Sequence, residues 1–475
     1  MATDDTTTPL LNSSARGAKR FKLSKWTPIE ILVVLYFLAA SCLWPVQQYY
    51  AITVIAEKHN VSNFINHEEK SCHSPSTNSS NNPKILVDKI EKESSQFLMY
   101  LGFCGTFLSV IPILCLGSIS DRLGRKFVLC FCLAGLLLKE IIYLVVIYFH
   151  LSLYILYLAQ VIEGLTGGFG GMLMALFGMT ADVTEPGKNR AFRLSVVEGT
   201  ASITYSLATL GMGYWIKYGN FYFPLIFISV MTILTIAFCV LFIPETSPMQ
   251  GRNETFSLVY FFKCFRFYVL PSPEGRRRKL TASLFILALS GAAILGRSST
   301  LTLYLLKSPI CWNEVKVQIF TSVQTFANWV AAMVVVRILH VFTQDYVILV
   351  IGTLSAASAS LLLAFATKDW LVYLFVIVGI CSAAVFPTVR AMMSRQCTAA
   401  EQGSLFASVA SVELLFTAFA QLTYGGVYKA SVSFYPGLVF LIMGGVLFIV
   451  LIISLTLFRW MRKENLNIQT WQVIN

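Results

Sequence analysis

Gly117-Ser118-Ile119-Ser120-Asp121-Arg122-Leu123-Gly124-Arg125-Lys126 is the stretch on which the reading of this chain turns. One apolar run ends here and the next begins, and the junction holds a carboxylate, small residues and three cations. That is the composition of a tight, charged corner between two membrane helices on the cytoplasmic side. Asp121 falls just inside a helix end, where it can pair with Arg125 or cap a neighbouring helix N-terminus, while Gly117 and Gly124 let two backbones approach closely. Such a corner can latch one face of a helix bundle. The plainer alternative is that its cations only orient the helix pair.

Working outward, apolar runs of about 20 residues recur along nearly the whole chain, each long enough to cross ~30 Å of hydrocarbon as a helix. Twelve are predicted, at roughly 28–50, 96–119, 127–149, 152–181, 193–215, 221–243, 281–306, 315–340, 346–366, 370–391, 403–428 and 434–458. The fourth is long enough to tilt or bend at its glycines. Of 475 residues, 56% are hydrophobic and 13% charged, more apolar surface than one soluble core could hide. The expectation is an all-α polytopic membrane protein with the lipid bilayer as its main partner. The net charge of +12 follows from basic residues gathered in one set of loops, so it orients the protein and does not indicate nucleic-acid binding.

Residues 1–27 are polar and basic, with Arg16, Lys19, Arg20, Lys22 and Lys25 ahead of the first span, which places the N-terminus in the cytoplasm. The first apolar run is itself a span, and no cleavable signal precedes it. Thr8-Pro9-Leu10-Leu11 behind Asp4 and Asp5 resembles a dileucine sorting signal for endosomes and lysosomes, with the acid one residue out of place; an ordinary polar tail is the alternative. The N-terminal six-helix bundle is expected over 28–243, interrupted by an outer polar loop at 51–95 that carries N-glycosylation patterns at Asn60 and Asn78. Asn253 carries the same pattern on the cytoplasmic side, where it goes unused. Most of the eleven cysteines lie in apolar runs, but Cys72 and Cys311 face an oxidising compartment, either as a disulfide tying the halves together or as two free thiols. Residues 244–280 form a cytoplasmic linker: Phe256 to Leu270 reads as a helix in the headgroup plane, and Arg276-Arg277-Arg278-Lys279 closes the segment. The C-terminal six-helix bundle follows over 281–458, then a cytoplasmic tail at 459–475 behind Arg459, Arg462 and Lys463. Two pseudo-symmetric bundles around a cavity allow rocking between outward-open and inward-open states.

Charges inside spans carry the chemistry, since each costs about 2.5–3.5 kcal/mol at a helix centre unless it faces water or a partner. The candidates are Lys139, Glu140, Glu163, Asp182, Glu198, Arg297, Arg390 and Glu413. Glu198 suits proton uptake and release, or alternatively a structural hydrogen bond to a neighbouring helix. Arg297 and Arg390 would attract a carboxylate or phosphate on a substrate, or pair permanently with Glu163 or Glu413. Lys139 and Glu140 are adjacent and point in different directions. Asp182, near the cytoplasmic end of the fourth span, belongs with the gate.

The corner at 117–126 resembles the signature loop of the major facilitator superfamily of transporters. With Thr180-Ala181-Asp182-Val183 leading to Phe192-Arg193, Ser308-Pro309-Ile310-Cys311-Trp312-Asn313-Glu314, Val389-Arg390-Ala391, Glu401-Gln402-Gly403-Ser404-Leu405-Phe406-Ala407 and Phe434-Tyr435-Pro436-Gly437, the chain resembles solute carrier family 46, the proton-coupled folate transporter and its lysosomal relatives. The resemblance implies the major facilitator fold, twelve transmembrane helices in two bundles. It also implies proton-coupled symport of an organic anion; neither a metal nor a cofactor is expected. It assigns proton coupling to Glu198 and the family's tenth-helix arginine to Arg390. Asp121 and Arg125 match its gating pair, with Arg122 and Asp182 beside them, and Cys72 with Cys311 matches its outer disulfide. Arg390, Arg297, Glu413 and Glu163 are the substrate-site candidates. Ile294 stands where the folate transporter has a histidine, Trp44-Pro45-Val46-Gln47-Gln48-Tyr49 replaces its first-helix motif, and Gln160 and Gly168 replace an arginine and an acid, while Glu413 matches the lysosomal branch. These departures point away from folate itself and toward a pterin-like, nucleotide-like or peptidoglycan-fragment solute. A proton-independent facilitator and a transporter-like receptor are the alternatives. An enzyme is not expected, because the chain has no phosphate-binding glycine loop, no Cys-x-x-Cys and only scattered histidines. The protein is expected at the plasma membrane or an endosomal or lysosomal membrane, as a monomer or weak dimer.

Overall fold

At the corner quoted above, helix α2 (Asn82–Leu123) stops and α3 (Arg125–Tyr148) starts with Gly124 alone between them. Gly124 has φ +102°, and a Cβ there would sit 2.1 Å from Glu245 Oε2, so only glycine can make this turn. In this computed structural model the described residues are 28–60, 82–183, 188–216, 221–246, 265, 268, 275–307, 309–396 and 402–474. Asn78, Cys72, Asn253, the dileucine-like tail and most of the linker fall outside them.

The remaining helices are α1 (Pro28–Lys58), α4 (Ile155–Leu165), α5 (Gly168–Val183), α6 (Lys188–Ile216), α7 (Tyr222–Phe242), α8 (Arg276–Leu295), α9 (Ser298–Leu306), α10 (Glu314–Phe342), α11 (Asp345–Ala364), α12 (Asp369–Val378), α13 (Val385–Arg395), α14 (Gln402–Ser431) and α15 (Leu438–Ile474). Three pairs run on as broken rods: α4 into α5 through Thr166-Gly167, α8 into α9 through Gly296-Arg297, and α12 into α13 through a 3-10 turn, Ile380–Ala384. Counted as rods, the described helices number twelve. Among the described residues, nine are long and apolar enough to cross a membrane.

The end bearing the Asn60 loop is termed outer, following the charge distribution, and the end bearing Arg125 inner. The first and second halves meet along two seams, α2 on α14 and α6 on α10. Hydrogen bonds and ion pairs join them toward the outer end: Lys307 Nζ to Asp88 at 2.7 Å and Glu91 at 2.5 Å, Lys429 Nζ to Gln96 at 2.6 Å, Ser95 Oγ to the Gly425 carbonyl at 2.9 Å, and Thr209 to Ser322 at 2.8 Å. At the inner end the described ion pairs stay within one half: Arg125 with Asp182, Arg193 with Glu30, and Arg395 with Asp345. Among the described residues, the bonds between the halves lie toward the outer end.

Three segments placed outside the spans are helical. The polar segment 82–95, assigned to the outer loop 51–95, is the first part of α2, and Lys58 still ends α1. Asp88, Glu91 and Ser95 recur at i, i+3 and i+7, so they share one helix face, and that face is satisfied by the opposite half instead of by water. Likewise Arg276 to Leu280, placed in the linker, opens α8, and the tail at 459–475 continues α15 to Ile474, because no glycine or proline interrupts it. In the linker, Phe265 and Tyr268 are helical, and the Tyr268 hydroxyl lies 3.1 Å from Ser408 Oγ.

Candidate functional site

Three groups from different rods converge toward the inner half of the interior. Glu198 is ten residues into α6 from Lys188 and Glu413 eleven into α14 from Gln402, so both lie about 15 Å from the inner helix ends. Arg390 reaches them from α13, with its Nη2 3.0 Å from Glu413 Oε2 and its guanidinium 5.7 Å from the Phe386 ring. Gly291 of α8 leaves the room in which the Glu413 side chain lies. Glu198 lies within electrostatic reach of both Arg390 and Glu413, across the divide between halves. Its side chain is exposed, although its helix neighbours Val197 and Gly199 are buried. Arg390 keeps 37% of its side-chain surface accessible and Glu413 only 12%. An accessible carboxyl therefore faces a cation that is already paired with another carboxylate.

Beside this cluster, Gly199 packs against Trp329 of α10. A Cβ at Gly199 would fall 2.2 Å from the indole. Glycine is required by this close approach, which fixes the spacing of the α6–α10 seam one residue from Glu198.

A second polar system lies further out and belongs to the first half. Lys139 of α3 donates to Glu163 at 2.7 Å and to Gln160 at 3.2 Å, both on α4, and Gln160 in turn donates to Gln47 of α1 at 2.8 Å. Glu163 thus has a partner on a neighbouring rod of its own half, not an arginine. Glu140 turns the other way, accepts from Thr232 Oγ1 at 2.7 Å and is fully buried. Arg297 sits in the α8–α9 break, where its guanidinium lies 4.9 Å from the Phe375 ring. Among the described residues it makes no ion pair.

At the inner corner, Arg125 Nε meets Asp182 Oδ2 at 3.2 Å and its Nη1 donates to Ser120 Oγ at 2.8 Å. The side chains of Asp121 and Arg122 lie outside the described residues. Glu245, absent from the sequence candidates, accepts from the backbone N–H groups of Arg125 at 2.8 Å and Lys126 at 3.2 Å, so it caps α3. Its signal was available: the first carboxylate after the sixth span, and a helix opening at Gly-Arg-Lys with no acidic residue in its first turn.

At the outer corner, Trp312 is buried against Phe320 and Tyr373 and donates to Asp369 at 2.8 Å, and Asn313 caps α10 by accepting from Lys316 N at 2.9 Å. Cys311, which is not one of the free thiols, starts this corner with φ 53°, and its expected partner Cys72 lies outside the described residues. Asn60 is exposed in the turn after α1. Among the described residues no three His, Cys, Asp or Glu side chains converge as a metal would require.

The family model described as Major Facilitator Superfamily matches residues 29–308. The chain is 28% identical over 368 residues to the rat (Rattus norvegicus) proton-coupled folate transporter, covering 77% of this chain and 79% of that one. It is 27% identical over 432 residues to the chicken (Gallus gallus) lysosomal proton-coupled steroid conjugate and bile acid symporter SLC46A3, covering 87% and 90%. Among solved structures, the human organic anion transporter MFSD10 (TETRAN) superposes with TM-score 0.63 at 15% identity, covering 90% of this chain and 98% of that one. The nucleoside transporter NupG superposes with TM-score 0.59 at 13% identity, covering 91% and 98%. These last two similarities concern the fold.

Proposed function

Because the chain belongs to the Major Facilitator Superfamily, we propose that it is a secondary active transporter carrying a small organic anion together with protons by alternating access. It is a multi-pass membrane transport protein, not an enzyme. The observation that carries the finer reading is Glu198. It is an accessible carboxyl on the first half, set opposite the Arg390–Glu413 pair of the second.

The mechanism follows from charge balance. With Glu198 ionised, Arg390 is shared by two carboxylates and holds the halves together at this level. Protonation of Glu198 removes one of them and leaves Arg390 a stronger lure for an anionic solute. Solute and proton then occupy the same small region, so neither binds fully without the other, and the proton offsets the charge that a monoanionic solute brings through the rocking step. Arg297, in the helix break further out and without a carboxylate partner among the described residues, is the second candidate contact for the anion. The corner of Arg125, Asp182 and Ser120, with Asp121 and Arg122 in the same stretch, is the inner gate: its bonds are already made within the first half, and gating comes from how the second half meets it as the two rock.

Relatives named for folate and for steroid conjugates and bile acids support proton coupling and an amphipathic anion as the solute. The protein acts at the plasma membrane or in the endosomal–lysosomal system, with Asn60 and Asn78 glycosylated and Cys72 joined to Cys311 on the outer side. The test is uptake into proteoliposomes over a panel of organic anions, with an inside-alkaline pH gradient imposed or collapsed. Uptake that follows the gradient supports symport. Uptake indifferent to it makes the protein a facilitator, and no uptake of any anion in the panel favours a receptor.

A further inference from the structure

The inner ends of the two halves treat their cations differently. Three described cations of the first half have internal partners: Arg193 pairs with Glu30 at 2.9 Å, Arg125 with Asp182, and Lys126 donates to the Val240 carbonyl at 2.7 Å while Glu245 caps its backbone. In the second half, α8 opens with Arg276-Arg277-Arg278-Lys279 and α15 carries Arg459, Arg462 and Lys463. Arg277, Arg278, Arg459, Arg462 and Lys463 are exposed, and among the described residues none of the five has an ion-pair partner.

These two helix ends are neighbours. α8 packs on α15, and Leu280 and Leu457 share one buried apolar cluster with Met461 and Tyr268 against it. Orientation in the membrane would be served equally by cations neutralised internally, as in the first half. Five unneutralised cations on adjacent rods are a different matter. Their mutual repulsion would be relieved by an external anion, and the anion a membrane surface offers is a lipid headgroup. Trp460, 40% exposed between Arg459 and Arg462, is an interfacial side chain that marks the headgroup level.

We propose that the α8–α15 inner corner is a binding site for an anionic, phosphate-bearing lipid, whose headgroup sits among Arg277, Arg278, Arg459, Arg462 and Lys463. Guanidinium forks suit phosphate oxygens bidentately, and four of the five cations are arginines. The site is separate from the Glu198 cluster and does not depend on what is transported. Its occupant would stiffen α8, the rod that breaks at Arg297, at its membrane-surface end.

The test uses purified full-length protein in neutral detergent, titrated with dioctanoyl phosphatidylinositol 4-phosphate and read by native mass spectrometry. Dioctanoyl phosphatidylcholine and free inositol 1,4-bisphosphate are the comparisons. A cation near an anionic lipid surface contributes ~1 kcal/mol, about fivefold in affinity. R277Q/R278Q and R459Q/R462Q should therefore each weaken binding about 25-fold, while K89Q/K368Q at the outer end changes nothing. The unaltered protein supplies a second measure that no misfolded variant can confuse: binding should fall steeply between 0.1 and about 0.5 M salt, as screening shortens. Equal binding of phosphatidylcholine, full retention by both arginine pairs, or salt-independent binding would each overturn the proposal. Binding of the free headgroup as tight as the lipid would also overturn it, by making this a soluble-phosphate site.

Discussion

Replacing Lys139 by Met removes one member of an ion pair whose side chains keep only 8% and 18% of their surface accessible. At 2.7 Å the pair attracts with about 6 kcal/mol for an effective dielectric of 20. Most of that attraction is offset by the desolvation of both ions, so the intact pair adds little net stability. Breaking it is another matter, because Glu163 is then left charged and unpaired and Gln160 Oε1 loses its donor; the expected cost is about 3–5 kcal/mol. E163Q should cost less, since the lysine still finds two amide oxygens. K139M/E163Q, which removes both charges, should return to within about 1.5 kcal/mol of the parent, giving a coupling of at least ~1.5 kcal/mol. Reversible unfolding in mixed detergent micelles, run as a double-mutant cycle, reads all three. A K139M cost below about 1 kcal/mol with no coupling would refute the reasoning, because it would mean that Glu163 is solvated in the folded protein.

Other perturbations test the seams and the corner. G199A places a methyl 2.2 Å from Trp329 and should destabilise by about 1–3 kcal/mol, with W329A in the same chain restoring most of the loss in thermal unfolding. G124A combines φ +102° with a clash on Glu245 and should cost about 1–3 kcal/mol, whereas E245Q, which weakens only the α3 cap, should cost less in the same assay. Burial acts to lower the Lys307 pKa, but Glu91 and Asp88 outweigh it and hold the ammonium above its ordinary value. A raised lysine pKa gives stabilisation that is complete below the unfolded value and lost only as pH rises through the folded one. The Lys307 charge is therefore constant at pH 5–8 and the outer bolt does not loosen by its titration in that window. K307M removes the cation that bridges the second half to Asp88 and Glu91, so an impermeant maleimide should label Q421C, at the α2–α14 seam beside Gly102, several-fold faster; an unchanged rate would remove Lys307 from the outer closure.

Much of the fold was legible because lipid imposes a simple rule on helix length and polarity. The Gly117–Lys126 corner, the bend of the fourth rod at Gly167 and the divergence of Lys139 from Glu140 all follow from spacing and turn chemistry. What stayed hidden is which rods become neighbours. Asp88 and Glu91 looked like loop residues because their partner, Lys307, is more than two hundred positions away. The spacing Asp88, Glu91, Ser95 was the available hint, since a loop has no reason to repeat at helical period. Among the site candidates, the sequence left Glu163 and Glu413 interchangeable as partners for Arg297 and Arg390. Packing separates them: Glu413 lies 3.0 Å from Arg390, and Glu163 is taken by Lys139. Nothing local to Gly199 announces Trp329, because a close approach between rods leaves no mark beyond a small residue.

The most direct test of proton coupling through Glu198 is E198Q in proteoliposomes, compared with the parent for pH-gradient-driven uptake and for solute exchange at equal pH on both sides. The amide mimics a permanently protonated carboxyl, so exchange should persist while gradient-driven accumulation falls to the level seen without a gradient. E198Q protein that still concentrates its solute when a pH gradient is applied would show that the coupled proton is carried elsewhere.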